Sequence, residues 1–329
     1  MSTTSLRFAH IVISLCLLVA FTTAAFSQAI LDVRVSDQKA GSLLVYPFYT
    51  SRAQDKRDTR VSISNIGPQA VTVHMFMLDG SSCSQADQFV CLTPNASIAF
   101  KASELDPEVT GWVMAVAVDN LTGYPITANS LIGNALVSDG DYVGNYGAEA
   151  FWSKGDPSTI NPATSGAFGT ATLNFNGGDT TAPAVGGYDF LPSQFAVELQ
   201  STNDSTGQKL VTVGMVGDIT LGSPKGAGQV GIGQIYNGNE KPFGSFSKIL
   251  NDGCQATAVI SASVPRVPLG MTYLIPAGQV GTMKFFTGGG VGLLLTPKTL
   301  GNKWNGIRSL HKISTVSKTL IIPVFTPAC

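Results

Sequence analysis

The chain has 329 residues, 44% of them hydrophobic but only 12% charged, with 36 glycines and 17 prolines. Charged residues usually make up about 25% of a soluble chain, so this surface must be built from Ser, Thr, Asn and Gly; that argues for an extracellular all-β protein and against a cytosolic α/β enzyme or a helical bundle. A formal net charge of −1 gives no ground for a nucleic-acid partner.

Residues 1–29 contain no Asp or Glu, and Arg7 precedes an apolar run at 11–21. That run is shorter than the about 20 residues that cross a bilayer. The small residues Ala24, Ala25, Ser27 and Ala29 follow it, which is the pattern of a secretory signal peptide. Once 1–29 is removed, no transmembrane segment is expected. Cys16 lies inside the apolar run behind Leu15 and does not read as a lipid-attachment cysteine.

From there strand-like runs alternate with turn chemistry, at 42–49, 59–65, 70–78, 89–92, 97–102, 112–118 and 130–137. Asn65-Ile66-Gly67-Pro68 and Asp79-Gly80 are turns. Thr59 to Ile63 alternates polar and apolar, the period of a half-buried strand. The 112–118 run is apolar on both faces, which predicts a central strand covered on both sides. Glycine, proline and Asx signals then crowd 138–164, which reads as a linker. A second strand series follows at 169–175, 195–200, 209–215, 230–236, 255–261, 272–275, 281–287 and 291–296. The fold expected is two Ig-like antiparallel β-sandwich domains, 30–137 and 165–297, with a basic extension at 298–329. A turn-and-strand match between 92–100 and 275–285 supports duplication of the two halves, as does Ala-Gly-Gln-Val-Gly at both 227–231 and 277–281.

Gly41-Ser42-Leu43-Leu44-Val45-Tyr46-Pro47, Asp58-Thr59-Arg60-Val61-Ser62-Ile63-Ser64-Asn65 and Val73-His74-Met75-Phe76-Met77-Leu78-Asp79-Gly80, with Cys83 and Cys91, resemble a set of uncharacterised secreted bacterial proteins. The similarity continues through 111–118, 131–133 and 171–175. It implies export from a bacterial cell and Ig-like sandwiches, and it brings no activity and no catalytic residues.

Four cysteines remain after signal removal: Cys83, Cys91, Cys254 and Cys329. An even number in an exported chain reads as disulfides. Local pairing predicts Cys83 with Cys91 and Cys254 with Cys329. A zinc site lacks a Cys-x-x-Cys pair, so neither a metal nor a cofactor is expected. Gly226-Ala227-Gly228-Gln229-Val230-Gly231 matches a dinucleotide fingerprint but lacks the strand before it and the helix after it. There is no Gly-x-Ser-x-Gly elbow, and His74, in the 70–78 run, reads as a solvent-facing strand histidine. Glu104, Glu108, Glu149, Glu198 and Glu240 are too scattered to pair by spacing. No catalytic role is expected.

Two features could carry function. Asp139, Asp141, Tyr142, Tyr146 and Trp152 combine carboxylates with aromatics, which could bind Ca²⁺, stack a sugar, or wedge between the two domains. From 253 to 329 seven basic residues stand without an acidic one. Lys312 and Lys318 with the apolar Leu320, Ile321 and Ile322 could therefore build an assembly strand or meet an anionic surface polysaccharide, or form an edge strand whose lysines blunt aggregation. The reading is a secreted or cell-surface structural or adhesive protein that self-assembles through its C-terminal strand. The alternatives are an extracellular carbohydrate-binding module or hydrolase accessory protein, and a secreted hydrolase with a carboxylate site that no motif reveals.

Overall fold

A computed structural model of the protein describes residues 34–155, 163–165, 169–178, 187–201, 207–220, 229–239, 242–250, 255–260, 275–298 and 304–329. The expected signal peptide, Cys254 and the expected strand at 272–275, apart from Ile275, lie outside them.

At 61% strand and 3% helix the protein is all-β. The two Ig-like sandwiches are not formed: among the described residues the strands make five small sheets of four or five strands, arranged as the blades of a five-bladed β-propeller, and one two-stranded pairing of Ser153–Lys154 with Gly187–Tyr188. Sheet I runs Gln85–Leu92, Val71–Asp79, Thr110–Val118, Leu43–Thr50, Glu149–Phe151. Sheet II runs Ser97–Lys101, Asp58–Asn65, Leu131–Asp139, Tyr142–Gly147. Sheet III runs Ala163–Ser165, Thr170–Phe175, Lys318–Pro323, Gly217–Asp218. Sheet IV runs Pro242–Leu250, Gln229–Tyr236, Val280–Phe286, Leu191–Gln200, His311–Val316. Sheet V runs Gln255–Ile260, Gln208–Gly214, Gly290–Thr296, Gly306–Ser309. Each draws strands from distant parts of the chain, so a blade is not a consecutive sequence repeat.

Sheet I is covered on both faces because its inner strands Leu43–Thr50, Val71–Asp79 and Thr110–Val118 are buried on both, as the 112–118 run predicted. Val113, Ala115 and Ala117 enter one core with Val61, Ile63 and Leu131 of sheet II. Trp112, Met114 and Val116 enter a second with Leu173, Phe175 and Leu320 of sheet III. The first core also takes Val211, Leu293 and Leu295 of sheet V, and a third lies between sheets IV and V. Val33–Cys329 is therefore one compact unit, and no boundary at 138–164 separates two cores.

Of the turn residues that suggested a linker, Asp139, Gly140 and Asp141 instead make a hairpin, and 156–162 lie outside the described residues. Asp139 faces Tyr142 across Gly140, whose φ of +61° suits a two-residue turn. Tyr142–Gly147 and Glu149–Phe151 then join sheets II and I. The basic extension is likewise built in, as strands of sheets V, IV and III. The expected disulfides are corrected too. Cys91 bonds Cys329 across 238 residues, so neither the Cys83–Cys91 nor the Cys254–Cys329 pair exists, and Cys83 is disulfide-bonded elsewhere.

Candidate functional site

The acidic and aromatic candidates of the hairpin do not converge. Asp139 is buried between two cations, 3.6 Å from Arg57 and 3.7 Å from Lys209. Its charge is already balanced there. Asp141 is exposed and gives its backbone carbonyl to the Lys298 amide at 2.5 Å. Tyr142 stacks under the Lys209 ammonium at 4.5 Å and donates its hydroxyl to the Gly207 carbonyl at 2.7 Å. Burial lowers the Lys209 pKa, with Asp139 pulling the other way. Tyr146 is buried in the first core and donates to the Phe48 carbonyl, while Trp152, 44% exposed, is tied through its amide to Asp189. Among the described residues, no group of three or more His, Cys, Asp or Glu side chains could hold a metal.

Of the assembly candidates, Lys318 is exposed, but the strand that carries it is paired on both sides, and Lys312, Leu320 and Ile322 are engaged. Lys312 donates to Glu149 at 2.5 Å in a buried pair that joins sheet IV to sheet I. Leu320 and Ile322 are buried in the second core. Lys318 and Ile321 lie in the same strand, which is hydrogen-bonded along Thr170–Phe175 on one side and at Gly217 and Asp218 on the other. That strand is not a free edge.

What spacing missed lies at the margin of sheet I. His74 is fully buried, not solvent-facing. Its ring stacks on Phe89 at 4.3 Å, Phe325 meets it edge-on at 5.8 Å, and Nε2 sits 3.0 Å from the Asp87 carboxylate. The clue was present in the sequence: His74 shares a strand face with Phe76 and Leu78.

Beyond His74 the same margin holds a cavity of about 360 Å³, within the size range of small-molecule sites. Val71, Leu92, Val118 and Ile126 form its apolar wall; Thr72, Thr93, Asp119 and Asn120 bring polar groups, and Cys91 and Cys329 complete it. Thr72 donates its hydroxyl to Asn120 Oδ1 at 3.1 Å, which orients the amide. Asp119 Oδ1 accepts from the Thr122 hydroxyl at 2.7 Å and from the Thr122 and Leu121 amides at 2.8 and 3.1 Å. The Thr122 hydroxyl bond is the main cause that holds this carboxyl below its usual range, so it is ionised at neutral pH.

No family model matches the chain, and no curated protein does. Among solved structures it is similar to Thermotoga maritima 1070, with 13% identity and a TM-score of 0.27 over 36% of this chain and 98% of that one. It is similar to the PBSX exported protein XepA at 8% identity and TM-score 0.21, covering 78% and 85% of the two chains. A glycosyl hydrolase family 2 member from Bacteroides cellulosilyticus gives 10% identity and TM-score 0.15, over 88% of this chain and 28% of that one. These scores are too low to carry any structural or functional argument. Among the described residues, no helix is long and apolar enough to cross a membrane.

Proposed function

We propose that this is an exported binding protein whose site is the cavity at the margin of sheet I, and that its ligand is a small polyhydroxylated molecule with one apolar face, as in a monosaccharide. The observation that carries the reading is the pairing of an apolar wall with an oriented amide and an ionised carboxylate. C–H groups of such a ligand rest on Val71, Leu92 and Val118, and its hydroxyls donate to Asp119 and accept from the two donors of the Asn120 Nδ2. The disulfide supports an oxidising compartment. A structural role by strand addition is the second reading, favoured by Pro242–Leu250, nine residues at the edge of sheet IV.

A glycan-array screen of the oxidised protein, followed by titration calorimetry, tests the first reading. Asn120 is exposed, so Asn120→Ala leaves the fold intact while weakening binding about tenfold, the value of one good hydrogen bond. Absence of any saccharide that binds, or an unchanged affinity in the variant, refutes it.

A further inference from the structure

The last strand ends at Pro323, and the chain beyond it crosses the margin of sheet I to its terminus. Val324 donates to the Gly169 carbonyl at 2.8 Å, and Phe325 lays its ring against His74. The Phe325 carbonyl approaches so closely that a Cβ at Gly123 would stand 1.9 Å from it. Among the described residues, Thr326, Pro327 and Ala328 make no hydrogen bond. Cys329 is then fixed to Cys91, both sulfur-bearing residues are exposed, and both line the cavity. The wall of the cavity on this side is thus the 326–329 segment, held by the disulfide and by the half-buried Pro327, whose Cδ would stand 3.4 Å from a Cβ at Gly123.

We propose that the Cys91–Cys329 disulfide is a redox latch that holds the C-terminal segment against the cavity, opened by a dithiol reductant. One thiolate of the dithiol attacks the Cys329 sulfur, and Cys91 leaves as a thiolate. The second thiolate of the dithiol then closes on its own mixed disulfide and releases Cys329. Two electrons pass from the dithiol to the cystine, and its two protons end on Cys91 and Cys329; the dithiol becomes an intramolecular disulfide. With the bond open, residues 326–329 keep no hydrogen bond among the described residues and only the Pro327 contact at Gly123, so they leave and the cavity loses its Cys329 wall. The inference rests on the binding reading above only for what the opening does to a ligand; the release of the tail needs no ligand.

The test uses the full mature chain in three forms: oxidised, treated with dithiothreitol, and Cys329→Ser. Intact mass spectrometry counts the freed thiols, and carboxypeptidase trimming reads the tail. The variant keeps the bond at Cys83, so agreement between it and the reduced protein isolates this disulfide. Loss of the last four residues at least about tenfold faster in both opened forms is expected, with an unchanged circular-dichroism spectrum. Equal trimming of oxidised and Cys329→Ser protein overturns the latch. If that variant does not fold, Cys91→Ser, which opens the same bond and keeps the one at Cys83, takes its place. The cavity is read separately with the fluorescent dye anilinonaphthalene sulfonate: stronger binding on opening is expected, and unchanged binding with a freed tail overturns the cavity part of the proposal. Failure of all saccharides to bind, with a freed tail and increased dye binding, refutes the ligand reading and leaves the latch standing.

Discussion

Burial lowers the pKa of His74, and the hydrogen bond and charge of Asp87 only partly offset it. Unfolded, this ring takes a proton near pH 6.5; folded, it does so only at a lower pH. Between those two values the unfolded state holds more protons, so stability falls as the pH drops through that window. His74→Phe suits a pocket already made by Phe76, Phe89 and Phe325, and it removes a ring whose buried Nδ1 has no hydrogen-bond partner among the described residues. Urea midpoints measured at pH 7 and pH 5 should differ less in the variant than in the wild type; equal differences would show that another group sets the acid sensitivity. Sequence alternation placed this residue on the correct strand but on the wrong side of the solvent boundary. Phe76 and Phe89 pack on the ring at 3.9 and 4.3 Å, and Phe325, 251 positions away along the chain, meets it at 5.8 Å; the face shared with Phe76 is local, but no local period reports Phe325.

The strands themselves were legible. Expected runs at 42–49, 97–102, 112–118 and 291–296 appear as Leu43–Thr50, Ser97–Lys101, Thr110–Val118 and Gly290–Thr296, because side-chain alternation and turn residues act over a few positions. Pairing was not legible. Leu43–Thr50 takes its neighbours from Thr110–Val118 and Glu149–Phe151, which no turn connects to it. The consequence is visible in Glu149, a scattered acid in the sequence and a buried one in the fold, with its pKa raised by burial against the pull of Lys312. Removing one partner of such a pair leaves an uncompensated charge inside, whereas removing both exchanges it for apolar contact. Lys312→Met should therefore cost about 3–5 kcal/mol in chemical denaturation, and the double change Glu149→Leu with Lys312→Met should recover most of that loss. A double variant as unstable as the single one would mean that the pair contributes through packing and not through charge balance.

At the scale of the molecule, the candidate site was hidden for the same reason as the fold. Its parts, Thr72, Leu92, Asn120 and Cys329, come from four separate segments and meet only because Val71–Asp79 lies between Gln85–Leu92 and Thr110–Val118, with the chain terminus fastened across them. The same interleaving removes any natural place for the molecule to divide. Val211, Leu293 and Leu295 complete a core otherwise built from the first half of the chain, and Gln255 donates to the carbonyls of Pro47 and Gly111 at 2.6 and 2.8 Å. Unfolding the late strands alone would expose the faces of sheet I that they cover, at a cost of about 25 cal/mol for each Å² of apolar surface, and would break those buried hydrogen bonds as well. Opening the early strands alone would strip sheets III and V in the same way. Neither half has a stable partly unfolded state to rest in, so the oxidised protein should lose structure in a single calorimetric transition, with calorimetric and van't Hoff enthalpies in agreement. Two resolved transitions, or a protease-resistant fragment ending near residue 137 that keeps its β-sheet spectrum, would show that the early strands form a core without the late ones and would restore the boundary that the shared cores deny.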